Sequence, residues 1–141
     1  MKDAAIDLVL SVFSPRNFPK TARVLRRGGW LAVAYPGPEH LCELRQRFDL
    51  LHPLRRKREC IIAAVNGLIG PTTLVRYHRE ALLDEEAIRA VIMMGPNARY
   101  TEPSMLVAGL GSLAVTFDIS VLLARRTANV RTDRSMTVRS S

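Results

Sequence analysis

Four stretches of this chain carry apolar patterns suited to strands, and helical periods fill the spaces between them. Residues 6–13, with Ile6, Leu8, Val9, Leu10, Val12 and Phe13, form a nearly continuous apolar run interrupted by Asp7 and Ser11. Such a run suits a strand buried on both faces. Asn17 can cap the helix that follows, in which Phe18, Ala22 and Leu25 make one apolar stripe and Arg16, Lys20, Arg23 and Arg27 lie opposite. Gly28-Gly29 is expected to stop that helix, with two arginines in its last turn. Residues 30–35 read as a second apolar strand, ended by Pro36-Gly37-Pro38, and Pro38 suits the first turn of a helix facing inward through Leu41, Leu44 and Phe48. A third helical pattern covers 54–68, with Leu54, Ile61, Val65 and Leu68 on one face, until Gly70-Pro71 breaks it. Residues 72–78 alternate as a strand. Asp84 is placed to cap a helix carrying Ala87, Ile88, Val91 and Ile92, which closes at Met94-Gly95-Pro96. In 113–123 the strand pattern is clearest: Val115, Phe117, Ile119, Val121 and Leu123 alternate with Ala114, Thr116, Asp118 and Ser120. That period of two predicts one wetter face, in an antiparallel strand near a sheet edge. Nothing periodic follows, so 127–141 is expected to be a disordered tail behind a single domain over 1–126.

The chain's 141 residues, 48% apolar and 24% charged, suit one globular domain with a core. No apolar run reaches membrane-spanning length, and the N-terminus carries acids where a signal peptide would be apolar, which predicts a cytoplasmic protein with no membrane partner. Cys42 and Cys60 fall within helical patterns and belong to no C-x-x-C pair, so they read as buried or half-buried free thiols and no metal site is expected.

Charge changes the picture more than composition does. The formal net charge is +8, and it is clustered: Arg16, Lys20, Arg23, Arg26 and Arg27 fall together without an acid among them, and Arg45, Arg47, Arg55, Arg56, Lys57 and Arg58 form a second group. A basic surface of this kind favours a polyanion, nucleic acid first, with simple solubility as the alternative. Arg16, Arg23, Arg55, Arg56 and Arg58 are the candidate nucleic-acid contacts.

Residues 7–47 read strand, helix, Gly-Gly turn, strand, then Pro-Gly-Pro-Glu-His opening another helix. Such a unit belongs in the middle of a doubly wound α/β domain, whose ligand-binding turn usually comes with the first strand-turn-helix units. The helix ending Arg-Val-Leu-Arg-Arg-Gly-Gly and the strand Trp-Leu-Ala-Val-Ala resemble the middle of class I S-adenosylmethionine-dependent methyltransferases. Three narrower motifs agree in order: Ser11-Val12-Phe13-Ser14-Pro15-Arg16-Asn17, Tyr35-Pro36-Gly37-Pro38-Glu39-His40-Leu41-Cys42-Glu43-Leu44, and Met94-Gly95-Pro96-Asn97-Ala98-Arg99. Together they resemble the 23S rRNA guanine-N1 methyltransferases, especially the actinobacterial type associated with macrolide (tylosin-like) resistance.

The resemblance implies an α/β fold, the C-terminal half of a seven-stranded class I methyltransferase domain from about its fourth strand onward. It implies methyl transfer from S-adenosylmethionine to N1 of a guanine in a 23S rRNA hairpin, a reaction in which positioning does most of the work. The histidine of the Pro-Gly-Pro-x-His-Leu motif, here His40, is implied to contact the cofactor. Ser11, Phe13 and Pro15 occupy the loop implied to face the target base, where Phe13 is either a stacking platform for a flipped guanine or the last core residue of its strand. The loop around Met94 and Gly95 either borders the RNA cleft or simply ends a helix. No residue is assigned as the base that removes the N1 proton, and His52 and His78 receive no role.

The departures from the family pattern are a missing cysteine zinc ribbon, so no zinc is expected in this chain, and a missing Gly-rich cofactor turn with its ribose-binding acid. Gly109-Leu110-Gly111 precedes a strand instead of following one and does not qualify. Activity of the chain alone is therefore in question, and a truncated product, a misassigned start, or one piece of a split enzyme whose N-terminal half comes from another polypeptide are the expectations. Self-association through an unpaired first strand is the physical corollary. The alternatives are a non-catalytic RNA-binding or interaction remnant and a fragment without function.

Overall fold

The computed structural model describes residues 2–48, 57–95 and 107–127. Its elements in order are β1 (Ile6–Val12), α1 (Phe18–Val24), β2 (Leu25–Pro36), α2 (Cys42–Phe48), α3 (Lys57–Leu68), β3 (Thr72–Leu83), α4 (Glu85–Met94) and β4 (Leu113–Arg125). The strands form one mixed sheet in the order β1-β2-β4-β3. Leu54, His52, Arg55, Arg56, residues 96–99 and the expected tail from 128 onward lie outside the described residues.

Both expected caps are made. The Asn17 side chain accepts from the Lys20 N–H at 3.0 Å, and Asp84 accepts from the Ala87 N–H at 2.8 Å. The end of α1 differs from expectation. The helix stops at Val24 instead of Gly28-Gly29, because the Ala4 and Ala5 N–H groups take the Arg23 and Val24 carbonyls at 2.9 Å. Leu25 turns to extended backbone and is wholly buried as the first residue of β2. Gly28 then lies within the strand at φ +74, a conformation that favours glycine; its N–H donates to the Arg126 carbonyl and the Gly29 carbonyl accepts from the Arg126 N–H, each at 2.8 Å.

The larger correction concerns β4. It lies between β2 and β3, so it is an interior strand, not an edge. Its face with Thr116, Asp118, Ser120, Leu122 and Ala124 is the buried one, and Phe117, Ile119, Val121 and Leu123 are only half-buried. The expected wetter face is thus the covered face, for a reason that becomes visible at the functional site.

β1 also departs from the reading of a strand buried on both faces. It ends the sheet order, and Leu8 and Leu10 are 58% and 66% exposed. The apolar run is real, yet among the described residues it is only partly covered.

The chain divides into two compact units. One comprises Met1–Val33, Glu59–Thr73 and Leu122–Ser141, with Val24, Leu25, Leu31, Val33, Ile61, Val65, Ile69 and Leu122 buried. Ile61 and Val65 confirm the inner face expected of α3, and Ile69 extends it one step past the helix end. The other comprises Ala34–Arg58 and Leu74–Val121. Its core is Leu44 from α2, Ile88 and Ile92 from α4, Val107, and Val115 from β4, with Leu41, Phe48, Leu83 and Phe117 packed against them. Ile88 is wholly buried, so Ile88→Ala should lower unfolding free energy by about 2–5 kcal/mol, read from urea denaturation.

Candidate functional site

The second unit contains a turn, residues 36–41, that leaves β2 and enters α2. Two features keep it from continuing as regular structure. Leu41 has φ +54, which is left-handed backbone unfavourable for a bulky residue, and its N–H is given to the Thr116 carbonyl at 2.8 Å. Helix α2 therefore begins at Cys42, and His40 sits in the turn ahead of the helix instead of in a first turn opened by Pro38.

β4 holds this turn. The Gly37 N–H donates to the Asp118 carbonyl at 2.7 Å, and the Glu39 N–H donates to Asp118 Oδ2 at 3.0 Å. In return the Asp118 N–H donates to His40 Nδ1 at 3.2 Å. A Cβ on Gly37 would lie 2.3 Å from Asp118 Oδ2, so no side chain fits there. Glu43, in the first turn of α2, accepts from the Thr116 N–H at 2.9 Å and from the Thr116 hydroxyl. The His40 ring meets Phe117 edge-on, with centroids 6.0 Å apart.

β3 supplies the counter-charge. Arg76 grips Asp118 with two prongs, Nε to Oδ1 at 2.8 Å and Nη2 to Oδ2 at 2.9 Å. Nη2 also reaches Glu39 Oε2 at 2.9 Å, where His78 Nε2 lies at the same distance. Arg45 of α2 donates to the Pro38 carbonyl at 2.8 Å.

These contacts set the ionisation of the site. Arg76 holds the Asp118 carboxyl below the usual carboxylate range against the cost of its burial. Burial works against the Glu43 charge too, but the two Thr116 donors outweigh it and its carboxyl is also held low. Burial, helped by Arg45 and opposed by Asp118, lowers the His40 imidazole, which favours its neutral form. Burial pushes the half-buried Cys42 thiol up, away from thiolate chemistry, while Cys60 is exposed instead of buried or half-buried.

Glu39, Glu43, Arg76, His78, Thr116 and Asp118 were not singled out by sequence. The available signals were slight: a lone acid in an apolar alternating strand, and Arg76 and His78 two apart on β3.

The loop residues of the other unit are placed as follows. Phe13 is 51% exposed with φ +45, which removes its reading as a core residue. Ser11 and Ser14 share a hydroxyl hydrogen bond at 3.0 Å, and Pro15 is exposed. Arg16 is half-buried. Arg23 is exposed but pairs with Asp3 at 2.6 Å, and Arg26 pairs with Asp7, so an acid ahead of β1 and one within it offset part of that basic cluster. Arg58 is exposed. Among the described residues no group of three or more His, Cys, Asp or Glu side chains could hold a metal ion, and no helix is long and apolar enough to cross a membrane.

No protein-family model matches the sequence. Over 127 residues, 89% of the chain, it is 33% identical to a Micromonospora griseorubida protein assigned as a 23S rRNA (guanine-N(1)-)-methyltransferase. Over 121 residues, 86% of the chain, it is 29% identical to the 23S rRNA (guanine(748)-N(1))-methyltransferase of Streptomyces fradiae. The chain spans 43% of the length of each of these relatives. Among solved structures it is similar to a Bacillus halodurans protein assigned as a methyltransferase, with a TM-score of 0.52 and 13% identity, covering 91% of this chain and 67% of that one. The YcgJ protein of Bacillus subtilis gives a TM-score of 0.52 at 8% identity, covering 92% and 67%. The fold is that of the C-terminal part of a class I methyltransferase domain.

The lowered groups share one sign. A neutral His40 contributes stability that is complete above its ordinary value of 6.5 and declines as pH falls toward its lower folded value. Glu43 and Asp118 contribute above their ordinary values of 4.5 and 3.8, and lose that contribution as pH falls through their depressed folded values. Melting temperature should therefore hold level above neutrality, fall below pH 6.5, and fall again in the carboxylate range. Calorimetry across pH should show the first of these declines reduced in His40→Gln and the second retained.

Proposed function

We propose that the chain is the C-terminal part of a 23S rRNA guanine-N1 methyltransferase, the portion that contributes residues toward the cofactor and toward the target base. The sequence likeness over 89% of the chain carries this reading. The cofactor is S-adenosylmethionine, which supplies the electrophilic methyl group; the substrate is a guanine of 23S rRNA, attacked through N1. Macrolide resistance and a cytoplasmic location follow from the same reading.

His40 is the cofactor contact. A half-buried neutral imidazole with an aromatic ring at its edge fits one part of a nucleoside, by hydrogen bonding and by apolar contact. Phe13, with Ser11 and Pro15, is the target-base loop: its exposed ring and left-handed backbone are the kind of local strain that functional loops retain. Arg58, with Arg16, Arg23, Arg55 and Arg56, supplies the RNA-facing charge, and Arg23 binds phosphate by exchanging its bond to Asp3.

Thermal melts of the 141-residue chain with S-adenosylhomocysteine test the cofactor reading. At a hundredfold above its dissociation constant the ligand should add about 2.7 kcal/mol, a shift of several degrees that His40→Ala diminishes. An unshifted cooperative melt would leave RNA binding without cofactor as the function, recognisable by a steep salt dependence.

The polypeptide that completes the enzyme pairs along β1, and in the isolated chain a second copy takes its place. The exposed Leu8, Leu10 and Val12 on an end strand support this reading. Sedimentation velocity should show concentration-dependent association that Leu10→Lys reduces; a monodisperse monomer at all concentrations contradicts it.

A further inference from the structure

His40 is held by its own neighbour on β4, and that neighbour is held by β3. The Asp118 N–H fills Nδ1 of His40, so the ring proton of the neutral imidazole resides on Nε2. The side chain of the same Asp118 fixes the turn through the Glu39 N–H and has no room for anything but glycine at position 37. Both of its oxygens are claimed by Arg76, and Arg76 also ties down Glu39 beside His78. The chain of contact thus runs from an exposed strand residue, through a wholly buried carboxylate, to the imidazole.

We propose that Arg76 and Asp118 are positioning residues for His40: they lock the turn so that the imidazole meets the cofactor as an Nε2–H donor, offered to an acceptor atom of the nucleoside. This rests on the cofactor role given to His40 above. Of the ionisable groups around the turn, Arg45 from α2 and Asp118 from β4 act on its charge, and Arg76 from β3 bears on it through its two bonds to Asp118; Glu39, Glu43 and His78 are the others nearby. Arg76 matters to this balance because it offsets the Asp118 charge. Without it an uncompensated carboxylate lies next to the ring and draws a proton onto Nδ1, which then cannot accept the Asp118 N–H.

The role differs from a merely structural ion pair in what it predicts for the imidazole. The protonation pattern of His40 can be read by long-range proton–nitrogen NMR on the full chain, and S-adenosylhomocysteine affinity by calorimetry. Wild type should show the Nε2–H form at neutral pH. Arg76→Gln should lose that preference, titrate His40 at higher pH, and bind the ligand on the order of tenfold more weakly. Arg76→Lys keeps the charge without the two-pronged grip and should fall between them, which guards against a variant that fails to fold. His40→Gln, which keeps an N–H donor, should bind more tightly than His40→Ala.

If folded Arg76→Gln and Arg76→Lys keep the wild-type tautomer and affinity while His40→Ala weakens binding, the positioning role is wrong and the cofactor role of His40 stands. If His40→Ala binds as wild type does, or wild type does not bind, the cofactor role fails and the proposal falls with it, whatever the tautomer.

Discussion

Asp118 is a carboxylate with no solvent exposure in the middle of a β-sheet, and the second unit is arranged so that its charge is answered. An isolated buried carboxylate costs several kcal/mol, so it persists only where donors converge on it. Here Arg76 from one side and the Glu39 N–H from another supply them. Arg76 is itself half exposed, which keeps its own desolvation small while its grip is still two-pronged. Much else follows from this pairing: the glycine at 37, the path of the turn, and the bond that the Asp118 backbone makes to His40.

Glu43 and Thr116 repeat the pattern one step along β4. Their two hydrogen bonds tether α2 to the strand, and Leu44, next in sequence, enters the core with Ile88, Ile92 and Val115. Polar contacts thus set the register of α2 over the sheet, and apolar contacts hold it there. The left-handed Leu41 is where the chain bends from one task to the other, with its N–H on Thr116.

The basic character of the chain is more local than its net charge suggests. Asp3 and Asp7 answer Arg23 and Arg26, and these exposed pairs are worth little in stability, so either arginine can be released to a phosphate at small cost. β1 carries the opposite imbalance, with apolar side chains at the end of the sheet and less cover than their composition calls for.

Local sequence was enough for whatever depends on neighbours within a turn or two. Asn17 and Asp84 cap their helices, the stripe of Ile61 and Val65 faces inward, the four strands among the described residues lie where alternation or apolar runs put them, and Pro36 ends β2 as expected. Boundaries slipped where a distant segment intervened, as when Ala4 and Ala5 took the last carbonyls of α1 and ended it before the glycines. Only the tertiary structure decided which face of β4 is buried. A period of two says that Thr116, Asp118 and Ser120 share a side; it cannot say which side is covered. That depends on a turn 79 residues earlier in the chain and on an arginine 42 residues away, whose donors make burial of a carboxylate affordable.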